Sequence, residues 1–186
     1  RLNFAEHLLR RRDDGTAIVA WNEHGAQQRL SFADLAAQVA ATAAALQAAG
    51  VGVGDRVVGY LPNLPQAVVA MLATASLGAT WSSCSPDFGT KGVLDRFGQI
   101  APTVLIAADG YWYAGKQIDC LDRLREIVSS LPSLAAVWVV PYVSAAPALS
   151  SVPGAVAFTD VLAQYASHHE PTFVRLPFDH PLYIMY

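Results

Sequence analysis

Apolar residues recur at helical spacing from Phe32 to Leu46, with Phe32, Leu35, Ala36, Val39, Ala43 and Leu46 on one face. Ser31, followed three residues later by Asp34, supplies a capping-box start, and Gly50 closes the segment, so the spacing predicts a helix over 32–49. Gly50-Val-Gly-Val-Gly-Asp55 comes next. Its spacing is GxGxG, and it follows a helix where a dinucleotide-binding loop must follow a strand, so it reads as a C-cap and turn. Arg56 to Leu61 is a buried-strand run. Asn63 and Pro65 then open a second helix, with Leu64, Val68, Met71, Leu72 and Ala75 on one face and Gly78 as its end. Ala79 to Ser83 reads as the next strand.

The alternation continues. Ser85-Pro86-Asp87-Phe88-Gly89 is turn chemistry leading into a helix over 91–99, and Thr103 to Ala107 is a strand. Asp109-Gly110 reads as a turn, and the pattern predicts a helix over 117–130 with Ile118, Leu121, Leu124 and Val128 inward. Ala136 to Val140 is a strand stopped by Pro141. The Pro-, Ser- and Ala-rich stretch 141–153 reads as a surface excursion, after which Thr159 is expected to cap a short helix ending near Ala166. Strands alternating with amphipathic helices predict an α/β fold with a mostly parallel, doubly wound sheet, flanking helices and right-handed crossovers. The apolar run at Leu182 to Tyr186 stops without turn, cap or polar tail, which predicts that the natural chain continues.

Composition narrows the partners. Charged residues are 15% of the 186 and hydrophobic ones 53%, too little polar material to cover a free surface comfortably, so part of the apolar surface is expected to meet further protein. A net charge of -3 with no basic run argues against nucleic acid. The apolar stretches 35–50 and 67–77 fall short of a membrane span, and no charged-then-apolar leader is visible. Two distant cysteines, Cys84 and Cys120, fit a reducing, cytoplasmic compartment.

Self-sufficient chemistry is hard to find in the residues alone. His168-His169-Glu170 is the one histidine cluster, but adjacent side chains at a helix end diverge, so it reads as polar residues facing water after a helix and not as a metal site. The sequence contains neither a GxSxG nucleophile elbow nor a GxxxxGK[ST] phosphate loop. Cys84 and Cys120 default to small buried residues, and Trp81, Trp112, Trp138 and Phe88 to aromatic burial. Asp87 is expected to cap a helix and Asp95 to face solvent.

Five blocks in one order carry more. Leu2-Asn-Phe-Ala-Glu6, Trp81 to Gly89 (WSSCSPDFG), Val93 to Ile100 (VLDRFGQI), Asp109 to Lys116 (DGYWYAGK) and Leu176 to Tyr183 (LPFDHPLY) together resemble the adenylate-forming acyl-CoA synthetase superfamily, and within it the acetoacetate-activating branch. The resemblance covers nearly the whole chain. It implies that residues 1–186 are the first part of a large AMP-binding-type N-terminal domain, stopping before the phosphate loop and without the small C-terminal domain. It implies a parent acid–thiol ligase using acetoacetate, ATP, Mg²⁺ and CoA, in which this segment alone is inactive and works with the rest of its own chain. Siblings acting on acetate or propionate, and a stand-alone CoA- or nucleotide-binding module, stay open as alternatives. No catalytic residue is implied within these positions. Related acetyl-CoA synthetases use an Arg-Ala-Gly-Arg segment on the adenosine-end phosphates of CoA, and Tyr113-Ala114-Gly115-Lys116 stands in its place. Gly115 would admit a phosphate to the backbone, and Lys116, expected at a helix start, would add charge to the positive helix end. Tyr113 and Lys116 replace both arginines, so bidentate forks are lost, and a plain turn with a solvated Lys is the competing reading. Tyr183 to Tyr186 are implied to pack near the site without acting chemically.

Overall fold

A computed structural model describes residues 1–186. The chain begins with a short helix, α1 (Phe4–Leu8), and an antiparallel hairpin of β1 (Thr16–Asn22) and β2 (Gly25–Ser31). Helix α2 (Phe32–Ala48) follows, then the alternating series β3 (Arg56–Tyr60), α3 (Pro65–Ser76), β4 (Thr80–Cys84), α4 (Thr90–Ile100) and β5 (Val104–Ala108). A second hairpin, β6 (Gly110–Tyr113) and β7 (Lys116–Asp119), interrupts the alternation. The remainder is α5 (Leu121–Ser129), β8 (Ala136–Val140), β9 (Ala155–Ala157), α6 (Phe158–Gln164) and β10 (Tyr183–Ile184).

Six of the strands form one sheet in the order β10-β4-β3-β5-β8-β9, and every neighbouring pair is parallel. The expected α/β class and parallel pairing therefore hold. Parallel strands covered on both faces read as unbroken apolar runs, and β5, whose five residues are all buried, shows why Val104 to Ala108 carries no polar alternation. Two apolar cores result. One joins α1, α2, α3 and α6 to one face of the sheet through residues such as Leu46, Leu72, Ile106 and Phe158. The other packs α4 and α5 on the opposite face through Phe97, Leu105, Leu124 and Ile127.

Local signals explain the element ends. Asp34 N–H donates to Ser31 Oγ at 3.0 Å, and Ser31 N–H donates back to the Asp34 carboxylate at 3.2 Å, completing the expected capping box. Gly50 and Gly54 adopt positive φ, and Gly52 N–H donates to Asp55 Oδ2 at 2.8 Å, so the GxGxG stretch is a turn. Helix α2 buries more than the predicted stripe because α3, α6 and the first hairpin cover it from several sides. Ala40, Ala41, Thr42 and Ala45 are inside as well.

Several expectations are corrected. The helix over 117–130 begins only at Leu121, since residues 116–119 pair with 110–113, and Ile127 is fully buried while Val128 is half-exposed. Asp109-Gly110 is no turn: Asp109 is buried at the end of β5, and Gly110 opens β6. The α3 N-cap is Leu64, without a side-chain bond from Asn63, and Val69 and Ala70 are buried where Val68 and Met71 are half-exposed. Ala157, not Thr159, precedes α6, and Gly89, not Asp87, precedes α4. The helix and hairpin within residues 1–31 leave little trace in the sequence pattern, because β2 is exposed along most of its length and lacks an apolar period.

Candidate functional site

Chain connections leave β3 in opposite directions, through α3 to β4 on one side and through β4 and α4 to β5 on the other. Where the strand order reverses, the loops after the carboxyl ends of the strands diverge and leave a crevice, the usual ligand position in open parallel sheets. Two adjoining cavities occupy it, of about 450 Å³ and about 390 Å³, both walled by Trp112 and Tyr142. The larger also takes Trp21, Asn22 and His24 from the first hairpin, Asn63 from the β3–α3 turn and Gln66 from the start of α3. Ser85, Pro86 and Asp87 after β4, with Tyr111 and Tyr113 of β6, line the smaller.

Buried polar groups hold these walls. The Asp109 carboxylate, 1% exposed, accepts backbone N–H groups from Tyr142 at 2.8 Å, Val143 at 3.0 Å and Ser144 at 2.9 Å. It thereby fastens the start of the 141–153 excursion and sets the Tyr142 ring in the crevice. Asn22 Nδ2 lies 3.4 Å from the Tyr142 hydroxyl, linking that loop to the first hairpin. Beneath the 85–89 loop, the Tyr60 hydroxyl stands 2.9 Å from both the Pro86 and the Phe88 carbonyl oxygens, and Arg123 Nη1 donates to Pro86 O at 3.1 Å. Burial pushes the Tyr60 phenol up to about 12, so it stays a donor at every physiological pH. Burial likewise raises the Cys120 thiol to about 11 and the Cys84 thiol above its ordinary range, which leaves both as inert neutral thiols.

Residues 113–116 form the tip of the second hairpin. Ala114 (φ 50°) and Gly115 (φ 73°) are both left-handed, the geometry of a two-residue turn matching the strand twist. Tyr113 reaches into the smaller cavity, while Ala114, Gly115 and Lys116 are exposed at the tip. Lys116 opens β7 and stands well before α5, so the expected helix start beside it is corrected, and no helix end adds to its charge. The two tip N–H groups are already engaged. Ala114 N–H donates to Glu23 Oε1 at 2.6 Å and Gly115 N–H to Glu23 Oε2 at 2.7 Å.

Other singled-out residues fall away from the crevice or join it unexpectedly. His168 and His169 are exposed, and no group of three or more His, Cys, Asp or Glu side chains lies close enough to hold a metal ion. Trp81 and Trp138 are buried as expected, but Trp112 is half-exposed in the crevice and Phe88, 39% exposed, lies under the Arg96 guanidinium at 4.5 Å. Asp95 faces solvent. Tyr183 packs edge-on against Phe4, and Tyr186 donates to the Arg96 carbonyl at 2.8 Å. Glu23 and Tyr142 were beyond sequence reasoning because their partners lie far along the chain. Asp109 carried a signal, an acidic residue directly after an unbroken buried strand.

Comparison with known proteins identifies the family. The family model described as "AMP-binding enzyme" matches residues 4–186. An acetoacetyl-coenzyme A synthetase of Rhizobium meliloti is 48% identical over 187 residues, covering 100% of this chain and 28% of that protein. The acetoacetyl-CoA synthetase of Macaca fascicularis is 45% identical over 192 residues, covering 100% and 29% respectively. The solved acetoacetyl-CoA synthetase from Streptomyces lividans superposes with a TM-score of 0.89 at 45% identity, again over 100% of this chain and 28% of that one. The chain thus spans somewhat over a quarter of the length of these relatives. Family model, solved relative and sequence relatives all reach across both hairpins and the parallel sheet, and on that footing the chain is a member of the AMP-binding enzyme family.

Proposed function

We propose that the protein carrying this chain makes acetoacetyl-CoA from acetoacetate, ATP and CoA, and that these residues form the scaffold and one wall of the CoA approach within its N-terminal domain. In the first step an acetoacetate carboxylate oxygen attacks the α-phosphorus of ATP, and the bond to pyrophosphate breaks. In the second, the CoA sulfur attacks the acyl carbon of the adenylate, its proton is lost, and AMP leaves. The observation that carries the reading is identity of 45–48% along the whole chain to proteins bearing that name.

The chain's own part is binding. Two backbone N–H groups, held here by the Glu23 carboxylate, and a Lys ammonium at one hairpin tip are the donor set a phosphate takes, and Gly115 brings no side chain of its own over that backbone. Trp112 and Tyr113 offer ring faces on which an adenine stacks. The family reaction implies Mg²⁺, and because these residues gather no group of three or more His, Cys, Asp or Glu side chains, none of them is proposed as a ligand to it. Two buried free thiols suit a cytoplasmic enzyme.

Acetoacetate-dependent ATP–pyrophosphate exchange by the whole protein tests the activity. Exchange supported by acetate or propionate and not by acetoacetate would reassign the acyl substrate. Lys116→Ala tests the binding role. Because Lys116 is exposed, water and salt screen its contact, and the expected rise in the KM for CoA is roughly 2- to 5-fold.

A further inference from the structure

We infer that Glu23 is a built-in competitor for the phosphate cradle at residues 113–116, setting the enzyme's affinity for the nucleotide end of CoA. This rests on the proposed reading of the hairpin tip. The left-handed pair Ala114 and Gly115 turns two successive N–H groups to one side, a concavity suited to an anion. A carboxylate from a hairpin 91 residues away in sequence fills it, one oxygen on each N–H. A phosphate presents the same pair of acceptor oxygens at higher charge, so cradle and ligand match in kind.

The surroundings make the exchange feasible. Glu23 sits in the exposed two-residue turn of the first hairpin, where Asn22 Oδ1 accepts the His24 N–H at 2.8 Å and fixes the turn. The His24 ring meets Trp112 edge-on at 5.0 Å. Together these contacts clasp one hairpin to the other across the wall shared by the two cavities. Lys116, which closes the tip opposite Tyr113, makes no ion pair with Glu23 or with any other residue. Its charge is therefore uncommitted while Glu23 holds the cradle, and an incoming phosphate gains it. Glu23 then returns to water, which readily replaces the two lost hydrogen bonds because the carboxylate is already exposed. A phosphate and a carboxylate cannot share two N–H groups, so the occupants exclude one another.

The test uses the whole protein and the variants Glu23→Gln and Lys116→Ala, with CoA as the probe. Active enzyme is counted by ATP–pyrophosphate exchange, so a loss of folded protein does not enter the KM. Glu23→Gln keeps the shape but removes the charge and one acceptor, and should lower the KM for CoA roughly 3- to 10-fold. In the ligand-free variant, amide hydrogens of Ala114 and Gly115 should exchange faster than in the parent. Addition of CoA should restore their protection. A higher KM in Glu23→Gln, or an unchanged one alongside a raised KM in Lys116→Ala, overturns the competition while the CoA reading of the tip stands. Insensitivity of the KM to both substitutions overturns the two together.

Discussion

Replacing Asp109 by Asn isolates the group that shapes the crevice. The two side chains have the same outline, so packing around the end of β5 is preserved, and the perturbation is electronic. If the amide oxygen takes the Oδ1 position, it keeps the N–H groups of Tyr142 and Val143, but the amide nitrogen then faces the Ser144 N–H, donor against donor. A hydrogen bond to a charged acceptor contributes about 1.5–3 kcal/mol, and one to a neutral acceptor about 1 kcal/mol. One such bond is lost and two are weakened, partly offset because the three N–H groups are only partly buried, giving about 2–4 kcal/mol against local opening of residues 142–144. At about 1.4 kcal/mol per decade this is roughly a 30- to 700-fold acceleration of amide hydrogen exchange. Exchange mass spectrometry on peptides covering 141–146, compared with β3 as an internal reference, reads it directly. Acceleration confined to that segment is expected. Unchanged protection of the three amides in Asp109→Asn would refute the claim that this carboxylate holds the excursion.

Further outcomes follow from single contacts. A Cβ on Gly59, in the middle of the sheet, would sit 2.6 Å from Trp81 Cζ2, so Gly59→Ala should destabilise by about 1–3 kcal/mol through overpacking, whereas Gly98→Ala, with open space, should not; chemical denaturation compares them. With its thiol raised to about 11 by burial, Cys120 should resist alkylation in native protein at pH 8 and react only on unfolding, and rapid native labelling found by peptide mapping would contradict its burial. Glu6 is held below its ordinary 4.5 chiefly by its hydrogen bond to Arg175, so the tie between α1 and residue 175 is fully present above pH 4.5 and is lost as pH falls through the lowered value. Faster exchange of the Leu2 and Leu176 amides should appear over that acid range in the parent and at neutral pH in Glu6→Gln.

Much of this molecule was set by the sequence through local rules. The Ser31–Asp34 box, the Pro65 start of α3, the glycine turns at 50 and 54 and the unbroken apolar run of β5 each act within a few residues, and the pattern they make suffices for a parallel α/β sheet. What escaped is long-range. Residues 116–119 satisfy a helical period only until residues 110–113, across the turn, offer a ladder. Because Lys116 to Asp119 are largely exposed, backbone pairing decides their form and apolar burial does not. The site shows the same division. The tip residues 113–116 entered through a sequence resemblance alone, while Glu23 against their N–H groups, Asp109 under the Tyr142 loop and Trp112 between two cavities depend on elements that only the folded sheet brings together. Hydrogen bonds between groups 33 to 92 residues apart leave no period in a sequence, because the geometry that makes them exists only after the loops have been placed by the strands beneath.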